Sequence, residues 1–300
     1  MMISTPQTPP FKERAILFFL LTLPPLFWAG NFIIGRSVRG EIPPLTLSFY
    51  RWIIALVILL PFAYRSIRRD APVYWENRWL ILLTSVTGIS AFNSLIYYGL
   101  QFTSANNGII LNSFIPLLIS LICWVVFHQK LGIKSWIGMG ISFTGVITIV
   151  SHGQLATIYN MSFNHGDLII FVAMVCWAIY TLGLKHLPKN VNRLGLTSVQ
   201  MAIGMLILIP FYWTEVSLGE VPIWNTHSIL SLAYIGVVPS VLAYLLYTTA
   251  VERMGPSKAG LSIHLLPVFG VILSMLFLGE SLHWFQATGM LLIFIGIAMS

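Results

Sequence analysis

The chain reads as an all-α integral membrane protein whose ten transmembrane helices form two five-helix repeats of inverted topology. Three observations predict this: composition, the spacing of apolar runs, and an echo at half the chain length. Of 300 residues, 57% are hydrophobic and only 8% charged, against roughly a quarter charged in an ordinary soluble domain. A helix crosses the hydrocarbon core with about 20 apolar residues, so ten spans use about 200 residues and leave about 100 for loops.

The predicted spans are 15–35, 45–64, 79–100, 104–127, 133–151, 167–185, 194–213, 228–250, 257–278 and 284–300. Span 1 follows Lys12 and Arg14, as a signal peptide would. Its apolar run is too long for that, however, and no small-residue cleavage site follows, so it is expected to be retained. Mixtures of charge with Pro or Gly mark breaks at Glu41 to Pro44, Arg65 to Pro72, His128 to Lys134 and Lys185 to Asn190. Spans 4 and 9 each carry a central proline, Pro116 and Pro267. Each proline should free a carbonyl four residues earlier, kink its span and serve as a matched hinge or cavity-shaping bend. In spans 5 and 10 the glycine pairs Gly138/Gly145 and Gly289/Gly296 present smooth faces for close helix packing.

The echo sets the organisation. Trp28-Ala29 recurs as Trp177-Ala178 and Pro61-Phe62 as Pro210-Phe211, both 149 residues on. Pro116 and Pro267, Gly138 and Gly289, and Gly145 and Gly296 are each 151 apart. The expected halves are residues 1–151 and 167–300, joined by a linker over 152–166. Five spans per half is an odd number, so the second half enters the membrane from the opposite side. Inverted repeats of this kind are a transporter architecture with the substrate site near the midplane; duplication within a channel or scaffold is the competing explanation.

Orientation follows from basic residues. With the N-terminus inside, thirteen Lys and Arg fall on the inner side, from Lys12 and Arg14 through Arg65, Arg68, Arg69, Arg78, Lys130, Lys134, Lys185, Lys189, Arg193 and Arg253 to Lys258. Only Arg36 and Arg39 fall outside. Both termini are therefore expected in the cytoplasm. The net charge of +7 lies in short loops, which gives no basic face for nucleic acid. Cys123 and Cys176 lie inside spans, so no disulfide framework or thiolate metal site is expected.

The order of motifs resembles the drug/metabolite transporter superfamily in its ten-span EamA-like branch. The resemblance rests on Trp28-Ala29-Gly30-Asn31-Phe32, on Pro44 and Arg51 around span 2, and on Thr103 to Ala105 ahead of Pro116. Gly279-Glu280 followed by Gly289 and Gly296 completes it. It covers nearly the whole chain. The family pattern usually has a glutamate after span 4 as well as after span 9; here Gln129 stands at the first place. Within the superfamily the chain is similar to bacterial exporters of aromatic amino acids, which implies that cargo and an outward direction.

No phosphate-binding loop and no H-E-x-x-H motif is present, so neither direct ATP-driven pumping nor an enzyme is expected, and no cofactor or metal. All nine carboxylates lie in loops or at span ends, which argues against a cation exporter with a membrane-embedded acid. Polar and aromatic residues gather instead. Trp28 and Asn31 share a face of span 1, and Trp177 and Tyr180 repeat that spacing on span 6. Span 3 offers Asn93 and Tyr97 with Tyr98 beside them, and span 8 a stripe of Ser240, Tyr244 and Tyr247. Asn112 precedes Pro116 by a turn, and His264 precedes Pro267. Unpaired amides and phenols are costly in hydrocarbon, so these side chains should face protein or a wet cavity.

Such a cavity suits a flat amphiphile, with rings stacking on an apolar body and amides bonding a polar head. Trp79, Trp213, Trp224 and Trp284, nearer span ends, read as an interfacial belt. His264 is open between binding cargo, carrying a proton and a neutral helix-to-helix bond. Arg51, about two turns into span 2, is expected to snorkel or to pair with Glu41, with binding of a carboxylate as the alternative. The function expected is secondary transport of small amphiphilic metabolites by alternating access, with aromatic amino acids leading. A passive channel and a carrier of nucleotide-sugars or drugs are the alternatives. Its partners would be that small molecule and the lipid bilayer, with the protein a monomer or a weak homodimer.

Overall fold

The computed structural model describes residues 11–103, 108, 111–128, 132–154, 156, 164–278 and 281–299, and among them the regular structure is entirely helical. The first half supplies α1 (Phe11–Ser37), α2 (Pro44–Glu76), α3 (Arg78–Gly99), α4 (Ile115–Val125) and α5 (Ile133–Val150). The second supplies α6 (His165–His186), α7 (Arg193–Ser217), α8 (Thr226–Met254), α9 (residues 256–278) and α10 (Trp284–Met299). Eight helical stretches have the length and hydropathy to cross a bilayer, and α4 and α10 are shorter apolar helices. The ten expected spans are all accounted for.

Helix ends follow from local chemistry. Asn164 caps α6 by accepting from the Asp167 amide at 3.2 Å, while the Asp167 carboxylate accepts from the Asn164 amide at 2.9 Å. Asn225 and Ser228 build the same reciprocal cap on α8. Asn192 caps α7 through the Gly195 amide. Such caps satisfy backbone donors that a helix start leaves orphaned. α2 opens on Pro44, and its free Leu45 and Thr46 amides donate to the Glu215 carboxylate at 3.0 and 2.6 Å. Gly255 takes φ +85° and turns the chain from α8 into α9, a conformation that costs glycine nothing.

Two boundaries depart from the sequence reading. The expected break at Arg65 to Pro72 is continuous helix, since α2 runs on to Glu76. Arg68 donates back one turn to the Tyr64 hydroxyl at 3.2 Å, and Asp70 accepts from Arg69 and from the Asn192 amide. The charges lie within the helix and do not mark its end. Span 4 is interrupted ahead of its proline, and span 9 tightens there into a 3-10 turn. A turn at Ser113–Phe114 precedes α4, and Pro116 sits in its first turn. In α9 a short helix Pro256–Leu261 and a tight 3-10 turn Ser262–His264 lead into Leu265–Leu278, with Pro267 again in the first turn. A proline there forfeits no hydrogen bond, because that N–H has no intrahelical partner.

Packing repeats across the halves. α2 lies along α7, α5 along α10, and α4 meets α9. Every other principal contact has a counterpart: α3 with α6 answers α8 with α1, α4 with α6 answers α9 with α1, and α3 with α7 answers α8 with α2. Residues 151 apart touch directly at two places, Asn93 to Tyr244 at 2.9 Å and Ser113 to His264 at 3.0 Å. Contacts between equivalent positions are what a two-fold relation between the repeats requires near its axis. A Cβ on Gly145 would lie 2.6 Å from the Gly289 carbonyl, and one on Gly296 would strike the Gly138 carbonyl. The glycine pairs are therefore where α5 and α10 close on each other, as expected.

Candidate functional site

The sequence-selected aromatic residues converge where α1, α3, α6 and α8 meet. Trp28 and Trp177, equivalent in the two repeats, cross edge-on with ring centroids 5.1 Å apart. Tyr247 lies 5.2 Å from Trp28 and 5.3 Å from Trp177, and Tyr244 5.6 Å from Trp177. Tyr180 closes the group at 5.1 Å from Trp177. Edge-to-face and tilted arrangements at these distances are mutually attractive. Phe92, which the sequence did not single out, packs 4.4 Å from Trp177.

Beside the rings lies a polar layer centred on Arg51, which is completely buried. Its Nε donates to Ser240 Oγ at 2.8 Å, and its Nη1 donates to Asn93 Oδ1 at 2.7 Å and to the Tyr97 hydroxyl at 2.5 Å. The Tyr97 hydroxyl in turn donates to Asn31 Oδ1 at 2.8 Å. Asn93 Nδ2 donates to the Tyr244 hydroxyl, and Tyr244 to the Gly88 carbonyl at 2.7 Å. Ser240 donates to the Ile235 carbonyl at 2.7 Å. The expected pairing of Arg51 with Glu41 does not occur, because Glu41 faces His227 at 3.0 Å at the rim of the bundle. Snorkelling is ruled out by the side chain's burial: it runs inward, under Trp52, whose ring lies 4.8 Å from the guanidinium carbon.

Two open spaces flank this layer. One is walled by Trp28, Phe92 and Trp177, with Asn31, Asn93 and Asn112 among its polar lining and Ile263 and Leu266 among its apolar lining. Asn112 Oδ1, buried there, has no partner among the described residues. The other is a cleft by the α1–α2 turn lined by Arg36, Arg39, Gln101 and Tyr97 among others. Tyr97 thus faces one space, while Asn31 and Asn93 face the other, and the hydrogen-bonded layer separates the two.

α3 and α8 reach this layer through an irregularity that the sequence did not disclose. Both carry a π-helical stretch at matching places, Ser85–Ala91 and Val238–Leu242. The wider turn delivers Gly88 O and Ser240 into the layer, and the Pro239 carbonyl accepts from Trp28 Nε1 at 3.4 Å. Such bulges recur at functional sites.

The remaining candidates lie apart from the pocket. Tyr98 is 45% exposed and packs on Phe102 outside the cluster. His264 is fully buried with both ring nitrogens engaged, Nδ1 with Ser142 Oγ at 2.6 Å and Nε2 with the Ser113 carbonyl. It ties α9 to α5 and to the turn before α4. Pro116 and Pro267 stand at helix starts, as described above. Ser104, Ala105, Gln129, Gly279 and Glu280 of the sequence motifs lie outside the described residues.

The comparisons with known proteins agree with this geometry. The profile of the EamA-like transporter family matches residues 15–151 and again residues 164–300. The uncharacterized transporter YyaM of Bacillus subtilis is 28% identical over 277 residues, covering 91% of this chain and 89% of its own. An uncharacterized transporter of Archaeoglobus fulgidus is 29% identical over 284 residues, covering 94% and 96%. A solved crystal structure at 17% identity superposes with a TM-score of 0.74 over 97% of this chain and 96% of its own, a likeness of fold.

Proposed function

We propose that this chain, which belongs to the EamA-like transporter family, carries small amphiphilic metabolites out of the bacterial cytoplasm by alternating access, with aromatic amino acids as the leading cargo. The two halves, residues 1–151 and 167–300, would be the bodies that rock about the central pocket. The carrying observation is the lining of that pocket: ring faces from α1, α3 and α6 beside three amide side chains. Rings suit the flat body of an aromatic cargo, and amides suit its amino and carboxylate groups. Trp28, Asn31, Asn93, Asn112 and Trp177 would meet the cargo directly. Tyr180, Tyr244 and Tyr247 would hold the tryptophans in place, and Tyr97 would close the layer on the other side. His264, with both nitrogens engaged, fits a structural joint better than a proton carrier.

Uptake of radiolabelled tryptophan, phenylalanine and lysine into proteoliposomes tests the reading, with and without a pH gradient. Saturable, aromatic-selective uptake with counterflow is expected, and counterflow separates a carrier from a channel. Removing a stacking ring forfeits about 0.5–1.5 kcal/mol beyond its area. Trp177→Ala, which also removes a wall of the pocket, is therefore expected to reduce tryptophan uptake about tenfold or more. Lysine uptake equal to that of tryptophan would defeat the aromatic assignment.

A further inference from the structure

Among the described residues no carboxylate pairs with the buried Arg51 guanidinium. Among the described residues the ion pairs are Arg69–Asp70, Arg193–Glu252 and His227–Glu41, all away from the centre. Glu215 and Asp167 are engaged in capping α2 and α6, while Glu13, Glu76 and Glu220 are exposed. The guanidinium instead feeds three outward-running chains of neutral donors, which end on Asn31 Oδ1, the Gly88 carbonyl and the Ile235 carbonyl. Its Nη2 is buried and has no partner among the described residues. Taking a cation out of water is costly unless a counter-charge and full hydrogen bonding compensate. The fold does not need a cation there, because the equivalent residue 149 positions on is Gln200, buried and bonded through Nε2 to Thr84 Oγ1 at 2.7 Å.

We propose that Arg51 is the docking cation for a carboxylate on the transported molecule, and that its bonds to Asn93 and Tyr97 are exchanged for that carboxylate when cargo is bound. Asn93 lines the pocket and stands between it and the guanidinium. An entering carboxylate that takes Nη1 and the free Nη2 together forms the two-pronged pair that arginine geometry favours. The same exchange releases α3 from α2 at Asn93 and Tyr97, so the headgroup that binds also loosens the layer between the two spaces. This rests on the reading of the central pocket as the cargo site.

The test is thermal unfolding of the full-length protein in detergent, followed with a dye that reacts with Cys123 and Cys176 as they become exposed. The probes are matched pairs: indole-3-propionate and its amide, benzoate and benzamide, butyrate and butyramide. Each carboxylate is expected to protect at a concentration at least about tenfold lower than its amide. Arg51→Gln should erase that gap, and Arg51→Lys should keep part of it. Asn93→Asp retains the arginine but supplies an internal carboxylate, and it should erase the gap as well. If Arg51→Gln does not fold, Asn93→Asp against wild type decides. Amides that protect as well as carboxylates, a gap that survives Arg51→Gln or Asn93→Asp, or no protection by any carboxylate up to its solubility would overturn the proposal. A gap of equal size in the aliphatic and aromatic pairs would leave the carboxylate dock standing while the aromatic reading falls.

Discussion

Asn93 and Ser240 hold the Arg51 guanidinium from two different helices, and their replacement separates electrostatics from packing. Asn93→Asp puts a carboxylate 2.7 Å from Nη1. The arginine is already desolvated, so what opposes the pair is the new carboxylate's burial and the loss of the Asn93 Nδ2 bond to the Tyr244 hydroxyl. A stabilisation of about 1–3 kcal/mol is expected, in line with hydrogen bonds to charged groups. It should appear as a higher melting temperature together with reduced uptake. Ser240→Ala removes the acceptor of Arg51 Nε and leaves that donor buried without a partner. It should cost about 1–3 kcal/mol in the same unfolding measurement. The pairing of Trp28 with Trp177 was legible in the sequence, because both members stand in register through the repeat. Arg51 was misread. An arginine near a span end with an acid one loop away ordinarily snorkels or pairs, and only the packing shows that Glu41 is held by His227.

Helix packing in this molecule rests on glycines whose neighbours are backbone or immobile rings. On Gly296 a Cβ would meet the Gly138 carbonyl and the Ser142 amide, neither of which can move without shifting α5. Gly296→Leu is therefore expected to lower stability by about 1–3 kcal/mol, the usual range for overpacking, with the loss read as a lower melting temperature in detergent. Its consequences should fall first on the separate apolar cluster of Val146, Ile149, Val268 and Ile293, which joins α5, α9 and α10. Gly88→Ala is a different case. Its Cβ would run into the ring of fully buried Tyr180 inside the π-helical stretch of α3. That should disturb the α3–α6 contact and the Tyr244 bond to the Gly88 carbonyl together, so lost uptake is expected beside lost stability. The glycine pairs of α5 and α10 could be read from the chain, since a two-turn spacing that recurs after 151 residues is a pattern. The π-helical turns were less legible: Pro239, which has no N–H to give, stands in the one of α8, whereas no proline marks the one of α3. The irregularities of spans 4 and 9 were only half legible: a proline announces an interruption without saying whether the helix bends or begins anew.

At the scale of the whole molecule the two faces differ in charge. One gathers residues 36–46, 100–103, 164–167 and 215–227, cross-linked by Arg36 to the Leu100 carbonyl, Arg39 to the Gln101 carbonyl, Thr103 to Asp167, and the Ile223 amide to the Glu41 carbonyl. The opposite face gathers the end of α2, the α6–α7 turn and the α8–α9 turn, tied by Asn192 to Asp70 and Arg193 to Glu252. The second face carries the basic residues Arg65, Arg68, Arg69, Lys185, Lys189, Arg193, Arg253 and Lys258, whereas the first carries Arg36 and Arg39. Positive loops are retained in the cytoplasm, so the second face is predicted to be cytoplasmic, with both termini on that side. The check is labelling of single cysteines by a membrane-impermeant maleimide in intact cells, in a Cys123→Ala, Cys176→Ala background. Arg39→Cys and Glu220→Cys, at exposed positions of the first face, should label from outside. Glu76→Cys and Lys189→Cys, exposed on the second, should label only after permeabilisation. The reverse pattern would turn the molecule over, so that the cleft beside Arg36 and Arg39 would open to the cytoplasm and the proposed direction of export would need to be argued afresh.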